Sequence, residues 1–150
     1  MLVMITAEQI AANWEFLKTV IVESSGLEKN DSPQRMNNIL NSLLCGDLQL
    51  WTEASVSIEG TVSILGVVVT QVLANPLADV KNLLIYSAVS VNNALGDQRL
   101  WIGGLKTLAQ YARKQNCKQI IAYTQNESLI KLCKRLGGET EQRLIVFTLN

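Results

Sequence analysis

The sequence contains no histidine, and this absence removes the commonest general base in enzymes together with the commonest zinc ligand. Any catalysis would have to use carboxylates, Tyr, Cys, Lys or backbone groups. The three cysteines show no CxxC spacing, and their odd number fits a reduced intracellular chain better than a disulfide framework. We therefore predict a protein without a metal site.

The sequence also lacks an excess of either charge, because 13 Lys and Arg residues balance 13 Asp and Glu residues. A balanced chain has no general attraction to nucleic acid or to an anionic membrane. The longest apolar stretch, Ile64 to Val69, is far too short to span a bilayer, and the first residues lack the features of a signal peptide. These absences predict a cytoplasmic protein with neither nucleic-acid nor membrane partners.

What the sequence does contain is enough apolar material for one domain. Its 150 residues can bury a core without disulfides or metals, and no repeat, low-complexity tract or linker divides them. We predict a single domain spanning residues 1–150. Two helices open it: Thr6 and Gln9 form a capping box for the first, and the serine before Pro33 caps the second, which Gly46 ends.

Strand signals follow the two helices. From Leu48 to Leu73 the chain is rich in β-branched residues, and the turn signal Glu59-Gly60 divides this stretch into a β-hairpin. The run Ile64 to Val69 is apolar throughout and is expected at the centre of the sheet. A third strand is predicted from Leu83 to Val91.

The rest of the chain alternates between helix and strand. We predict a helix from about Gln98 to Gln115, a strand from Lys118 to Thr124, a helix from Gln125 to Leu136 and a last strand from Arg143 to Leu149. The order is α-α-β-β-β-α-β-α-β. This is an α/β fold with a mixed sheet, in which two N-terminal helices precede central antiparallel strands and a closing β-α-β-α-β unit.

That order, with the segments KQNCKQIIAYT and NESLIKLCKRLGG, resembles the GCN5-related N-acetyltransferase (GNAT) superfamily. A typical ending in that family reads Asn, two residues, a small or apolar residue, then Leu-Tyr, two residues and Leu-Gly-Phe. The likeness covers the C-terminal half well and the first half only in element order. The residues in register with the ending are Asn126, Leu129, Leu132, Lys134, Arg135, Leu136 and Gly137.

The resemblance implies a binding site for acetyl-CoA. In the family, acyl-CoA lies where the central strand splays from its neighbour, and backbone groups of that strand pair with the pantetheine arm. By this resemblance the cofactor contacts would be Val89 and Val91 at the end of the strand, Gly96 and Arg99 in the loop that follows it, and Asn126 before the last helix. All five contacts apply only if CoA binds.

This sequence differs from the family at the phosphate-binding loop. The pattern Q/R-x-x-G-x-G/A aims backbone N–H groups at a pyrophosphate, which requires small residues. Counted from Val91, it falls on Gly96, Arg99 and Trp101, and none of the three fits. The bulk of Arg99 and Trp101 would obstruct the usual cradle, although the guanidinium of Arg99 could contact a phosphate in a different way.

This sequence also differs from the family at the position of the proton donor. Many family members carry a Tyr in the last helix that protonates the departing thiolate, and Cys133 holds that position here. A thiol can act as an acid, but a buried core cysteine is the plainer interpretation. For a general base, Glu53, Glu59 and Asp79 lie on or beside strands, and the sequence gives none of them a partner.

A narrower resemblance concerns the stretch GDLQLWTEA, the strand ending VVVTQVL, and ARKQNC. Together they look like the small GNAT-like proteins of bacteriophages, whose acetyltransferase motifs are commonly eroded. This implies a catalytically degenerate protein without a cofactor, in the host cytoplasm or the virion, that binds virion proteins, another protein or itself. The alternative is an active acetyl-CoA-dependent N-acyltransferase acting on an unidentified amine, because recognition by a strand backbone does not depend on side chains. A host-directed binding protein without a ligand is a third hypothesis.

Overall fold

The computed structural model describes residues 1–24, 33–91, 98–124, 127–140 and 145–149. Their helices and strands follow in the order β1 (Leu2–Met4), α1 (Ala7–Ala12), α2 (Trp14–Ser24), α3 (Pro33–Cys45), β2 (Gln49–Val56), β3 (Val62–Asn75), β4 (Val80–Ser90), α4 (Gln98–Lys114), β5 (Cys117–Ala122) and α5 (Glu127–Arg135). The predicted α/β fold class with a mixed sheet is confirmed. None of the helices in these ranges is long and apolar enough to cross a membrane.

The strands form one sheet in the order β1-β2-β3-β4-β5. Each neighbouring pair is antiparallel except β4 and β5, which are parallel and joined through α4. The predicted hairpin is confirmed as β2 and β3, and its turn contains Gly60 at a φ of 81°, a conformation that favours glycine. The sheet places β3 at its centre, as the apolar run predicts.

Helices cover both faces of the sheet because successive side chains of a strand point to opposite faces. Val67 and Val69 of β3 face the side of α1, α2 and α3, where they join a buried apolar cluster. Val68 faces the other side and packs in a cluster with Leu108 and Ala112 of α4. The predicted helix therefore covers this side of the sheet as α4, with Leu108 and Ala112 against it.

A hydrogen-bonded chain joins β2 to β3 beneath α4. The Trp51 indole N–H donates to the Thr70 hydroxyl at 2.9 Å, and that hydroxyl donates to the Gln49 side-chain oxygen at 3.1 Å. Thr70 is completely buried. The Trp51 ring meets Tyr111 of α4 edge to face, with ring centroids 5.0 Å apart. These contacts fix the position of α4 over the sheet.

The first predicted helix is interrupted. The capping box at its start is confirmed: the Gln9 N–H donates to the Thr6 hydroxyl at 3.3 Å, and the Thr6 N–H donates to the Gln9 side-chain oxygen at 2.9 Å. At Asn13 the side-chain amide donates to the Gln9 carbonyl at 2.8 Å. This side-chain bond competes with the helical backbone ladder, and the chain divides there into α1 and α2.

The two ends of the sheet differ from expectation. Strand β1 is missing from the predicted order because three residues are too few to show an alternating pattern. The last predicted strand, Arg143 to Leu149, is wrong for residues 145–149, which form no strand and expose their apolar side chains; Arg143 lies outside the described residues. High β-propensity does not make a strand without a partner to pair with.

Candidate functional site

The parallel pair β4 and β5 opens into a fork. Their pairing runs from Lys81 opposite Cys117 to Ile85 opposite Ala122, where β5 ends. Strand β4 continues to Ser90. Over the described ranges no strand pairs with this last part of β4 on its β5 side, so a stretch of backbone N–H and C=O groups lies along an open edge.

A β-bulge marks the point where the fork begins. In the pairing of β3 with β4, Val69 lies opposite Ser87 and Thr70 lies opposite Ile85, so Tyr86 is the extra residue of β4. A bulge bends its strand and increases the local twist. The bend therefore follows directly after the last pair between β4 and β5.

The backbone groups at the open edge belong to Ala88 and Ser90. The Val91 N–H donates to the Leu65 carbonyl of β3 at 2.9 Å, and groups of alternate residues point to opposite edges of a strand. The backbone N–H and C=O groups of Val89 and Val91 thus point toward β3, whereas those of Ala88 and Ser90 point toward the fork. The resemblance points to Val89 and Val91 as cofactor contacts, and their role stays a prediction.

A cavity of about 110 Å³ lies beside the fork, on the side of the sheet covered by α4. Its walls come from the sheet, from the first half of α4 and from α5, and most of the lining side chains are apolar. Glu53 is the only charged residue among the described residues that line it. The cavity therefore suits an apolar group, and Glu53 is the one charged contact that the described wall offers it.

Glu53 reaches the cavity from β2 through a row of cross-strand neighbours. Leu2 lies opposite Glu53, Glu53 lies opposite Gly66, and Gly66 lies opposite Ser90. Because Gly66 has no side chain, the space between Glu53 and β4 is not blocked by β3. The Glu53 side chain is 13% exposed and pairs with the amino group of Met1.

Of the three candidate bases, the structure brings only Glu53 to this cavity. Glu59 lies in the exposed turn between β2 and β3, and Asp79 lies in the exposed turn between β3 and β4. Neither lines the cavity. The sequence marks all three alike, because the position of Glu53 depends on the register of β2 against β3.

Cys133 lines the same cavity from α5. The end of α5 is a Schellman motif, in which the Gly138 N–H donates to the Cys133 carbonyl at 2.9 Å and Gly137 adopts a φ of 90°. A Cβ atom on Gly138 would lie 2.9 Å from that carbonyl oxygen. The two glycines thus hold the helical turn that carries Cys133 in place.

Of the other predicted residues, two lie in α4 and two lie outside the described residues. Trp101 of α4 lines the cavity, whereas Arg99 lies in the exposed first turn of that helix. Gly96 and Asn126 lie outside the described residues. Trp101 therefore forms part of the cavity wall.

Comparison with known proteins gives no match by sequence and several by structure. No family model matches the sequence, and no curated protein matches it. Similar structures include a probable acetyltransferase, with a TM-score of 0.73, 16% identity, and coverage of 100% of this chain and 97% of that one. A predicted acetyltransferase of Clostridium acetobutylicum, solved with acetyl-CoA, has a TM-score of 0.69 and 15% identity over 98% of this chain and 95% of that one.

A third similar structure is an aminoglycoside acetyltransferase from an uncultured soil metagenomic sample, in complex with sisomicin. Its TM-score is 0.73 at 11% identity, over 100% of this chain and 95% of that one. The chain therefore has the GNAT acetyltransferase fold, as the resemblance implies. None of these three proteins is described as a virion component, so the phage association gains no support from them.

Proposed function

We propose that the protein is an acyl-CoA-dependent N-acyltransferase. The observation that carries this proposal is the open edge of β4 beside a cavity that holds one carboxylate and one thiol. Similar structures are described as acetyltransferases, and one was solved with acetyl-CoA. This reverses the preference drawn from the sequence, where the misfit loop favours a degenerate protein.

The open edge fits the pantetheine arm of acyl-CoA. An extended chain can add to an exposed sheet edge through main-chain hydrogen bonds, and this needs no particular side chain. The N–H and C=O groups of Ala88 and Ser90 are the groups that would hold the arm. The cofactor supplies an activated acyl thioester next to the cavity.

Glu53 and Cys133 have complementary roles in this proposal. The Glu53 carboxylate, which pairs with the Met1 amino group in the chain alone, exchanges that partner for the acceptor ammonium, takes one proton from it and leaves a neutral amine as the nucleophile. In the transfer, the C–N bond would form as the C–S bond breaks, the leaving sulfur would take a proton from a side chain in the wall, and the second proton lost by the nitrogen would return to that side chain. Cys133 is the described side chain in the cavity wall that can donate a proton to that sulfur.

The proposal is tested by cofactor binding and by transfer. Acetyl-CoA should raise the melting temperature, because a ligand that binds only the folded state stabilises it. Incubation with acetyl-CoA and a set of amines should release the CoA thiol. Glu53→Gln should lower the rate of release roughly 10²-fold or more, whereas the matched variant Glu59→Gln in the same hairpin should not change it. Neither a melting shift nor thiol release with any amine would refute the proposal.

A second candidate is a GNAT-fold protein without catalysis that binds another protein, a virion protein or a second copy of itself. Arg99 and Trp101 favour it, because they stand where the family places residues small enough to admit a pyrophosphate. The same binding measurement separates the two candidates. A protein whose cradle is blocked would show no melting shift even at millimolar acetyl-CoA.

A further inference from the structure

The cavity extends well beyond the edge of β4. It is lined by Ile85 and Ala88 of β4 at one end and by Leu2 of β1 at the other. Neighbouring strands lie about 4.8 Å apart, so these ends are separated by roughly 14 Å across the sheet. The thioester of an acyl-CoA held at the β4 edge would occupy only the near end.

The chemistry of the wall limits what can fill the remaining space. Leu100, Leu105 and Leu108 of α4 and Leu129 and Leu132 of α5 line the cavity, and they offer no side-chain hydrogen bonds. A polar body would lose its contacts with water without replacing them, whereas each apolar group would gain from leaving water. The wall therefore favours a hydrocarbon.

A single carboxylate sets the charge of the occupant. Among the described residues of the wall, only Glu53 is charged. In the chain alone, Glu53 pairs with the amino group of the exposed residue Met1, so this carboxylate already holds one primary ammonium, and an acceptor ammonium would take the place of Met1. Further cations in an apolar wall would remain unpaired. Gly66 leaves the space between Glu53 and Ser90 of β4 free of a side chain, so an ammonium that replaces Met1 on Glu53 can approach the side of β4 where the thioester would lie.

The space depends on a glycine in the helix above it. Gly104 of α4 lines the cavity, and a Cβ atom there would lie 3.8 Å from the Leu2 side chain, an ordinary contact distance. A larger side chain at this position would extend into the cavity. Gly103, its neighbour, has nothing within 4 Å of an added Cβ atom and does not line the cavity. The two glycines thus form a matched pair for experiment.

We propose that the acceptor is a primary monoamine with an apolar body, such as an alkylamine, whose ammonium binds Glu53 and whose hydrocarbon lies beneath α4. This inference rests on the proposed acyl transfer for its catalytic meaning, but the binding site can be tested alone. It separates this chain from an enzyme for polycationic acceptors, such as the similar aminoglycoside acetyltransferase.

The first measurement is calorimetric binding of propylamine, butylamine, pentylamine and hexylamine to the full chain, without cofactor. Each added methylene should lower Kd about fourfold, so hexylamine should bind about sixtyfold more tightly than propylamine. Sisomicin and spermidine should bind more weakly than hexylamine. A Kd that does not change with chain length, or tighter binding of the polycations, would overturn the proposal.

Four variants test where the alkylamine binds. Glu53→Gln should weaken hexylamine binding roughly tenfold or more, and Glu59→Gln should not. Gly104→Leu should abolish most of the gain from propylamine to hexylamine, while Gly103→Leu should keep it. Equal effects of the two glycine variants would place the hydrocarbon elsewhere and overturn the proposal. Melting curves of all four variants identify any that fail to fold, and the wild-type series stands without them.

Thiol release from acetyl-CoA then separates this proposal from the proposed function. Release with hexylamine, at a kcat/KM that rises along the series, supports both. Alkylamine binding without any release supports the site and counts against acyl transfer. Release with spermidine or sisomicin only supports acyl transfer and overturns the apolar acceptor.

Discussion

Replacing Thr70 by Val tests how the sheet holds α4 above the cavity. The two side chains have nearly the same shape, but valine has no hydroxyl. The Thr70 hydroxyl is the acceptor for the Trp51 indole N–H at 2.9 Å, and both side chains are buried. The variant therefore leaves a buried donor without a partner, with little change in packing.

The stability cost of Thr70→Val comes from the unpaired Trp51 indole N–H. A buried N–H that loses its acceptor costs about 1–3 kcal/mol of the free energy of unfolding. The Gln49 oxygen also loses a donor, but Gln49 is only half-buried and can bind water instead. For a chain of this length, a loss of about 2 kcal/mol corresponds to a decrease of roughly 4–8 °C in melting temperature.

A double-mutant cycle isolates the hydrogen bond from packing. Thr70→Val, Trp51→Phe and the double variant are compared with the wild type by urea unfolding. Once Trp51→Phe has removed the donor, Thr70→Val should cost about 1–2 kcal/mol less than it does alone. Additivity of the two single changes to within about 0.3 kcal/mol would show that this hydrogen bond does not stabilise the fold, because uncoupled residues behave in that way.

Three further predictions concern α5 and α4. Gly138→Ala should lower the melting temperature, because its Cβ atom would lie 2.9 Å from the Cys133 carbonyl oxygen; Gly103→Ala, in open space, should not lower it. Cys133→Ala should lower kcat for thiol release from acetyl-CoA roughly 10²-fold if the thiol donates a proton, and unchanged kcat would assign that step to water. Burial, with a smaller contribution from Cys117, raises the pKa of the Tyr111 hydroxyl above its ordinary value of 10.0. The neutral hydroxyl contributes stability that is present below pH 10 and is lost as the pH rises through the folded-state pKa. In urea unfolding measured at increasing alkaline pH, Tyr111→Phe should therefore lose less stability than the wild type.

Much of the fold can be predicted from local signals. The hairpin of β2 and β3, the helix α4 and the strand β5 each carry a pattern that the structure confirms. What local signals miss depends on partners that are distant in sequence. Strand β1 exists because three residues pair with β2, and residues 145–149 have β-propensity but form no strand.

The site shows the same division between local and long-range information. Cys133 can be located by counting along α5, because a helix keeps a fixed register. Glu53 cannot be selected from the three candidate carboxylates, because its place depends on the pairing of β2, β3 and β4 across Gly66. The bulge at Tyr86 changes which residues face the open edge, and no sequence pattern marks it.

An NMR titration of the backbone amides of β4 with acetyl-CoA tests whether the open edge of this strand binds the cofactor. If the open edge binds the pantetheine arm, the amides of Ala88 and Ser90 should shift and exchange more slowly with solvent. The Val91 amide, already bonded to the Leu65 carbonyl, should keep its protection from exchange. Unchanged shifts and exchange rates for Ala88 and Ser90 at saturating acetyl-CoA would contradict the account.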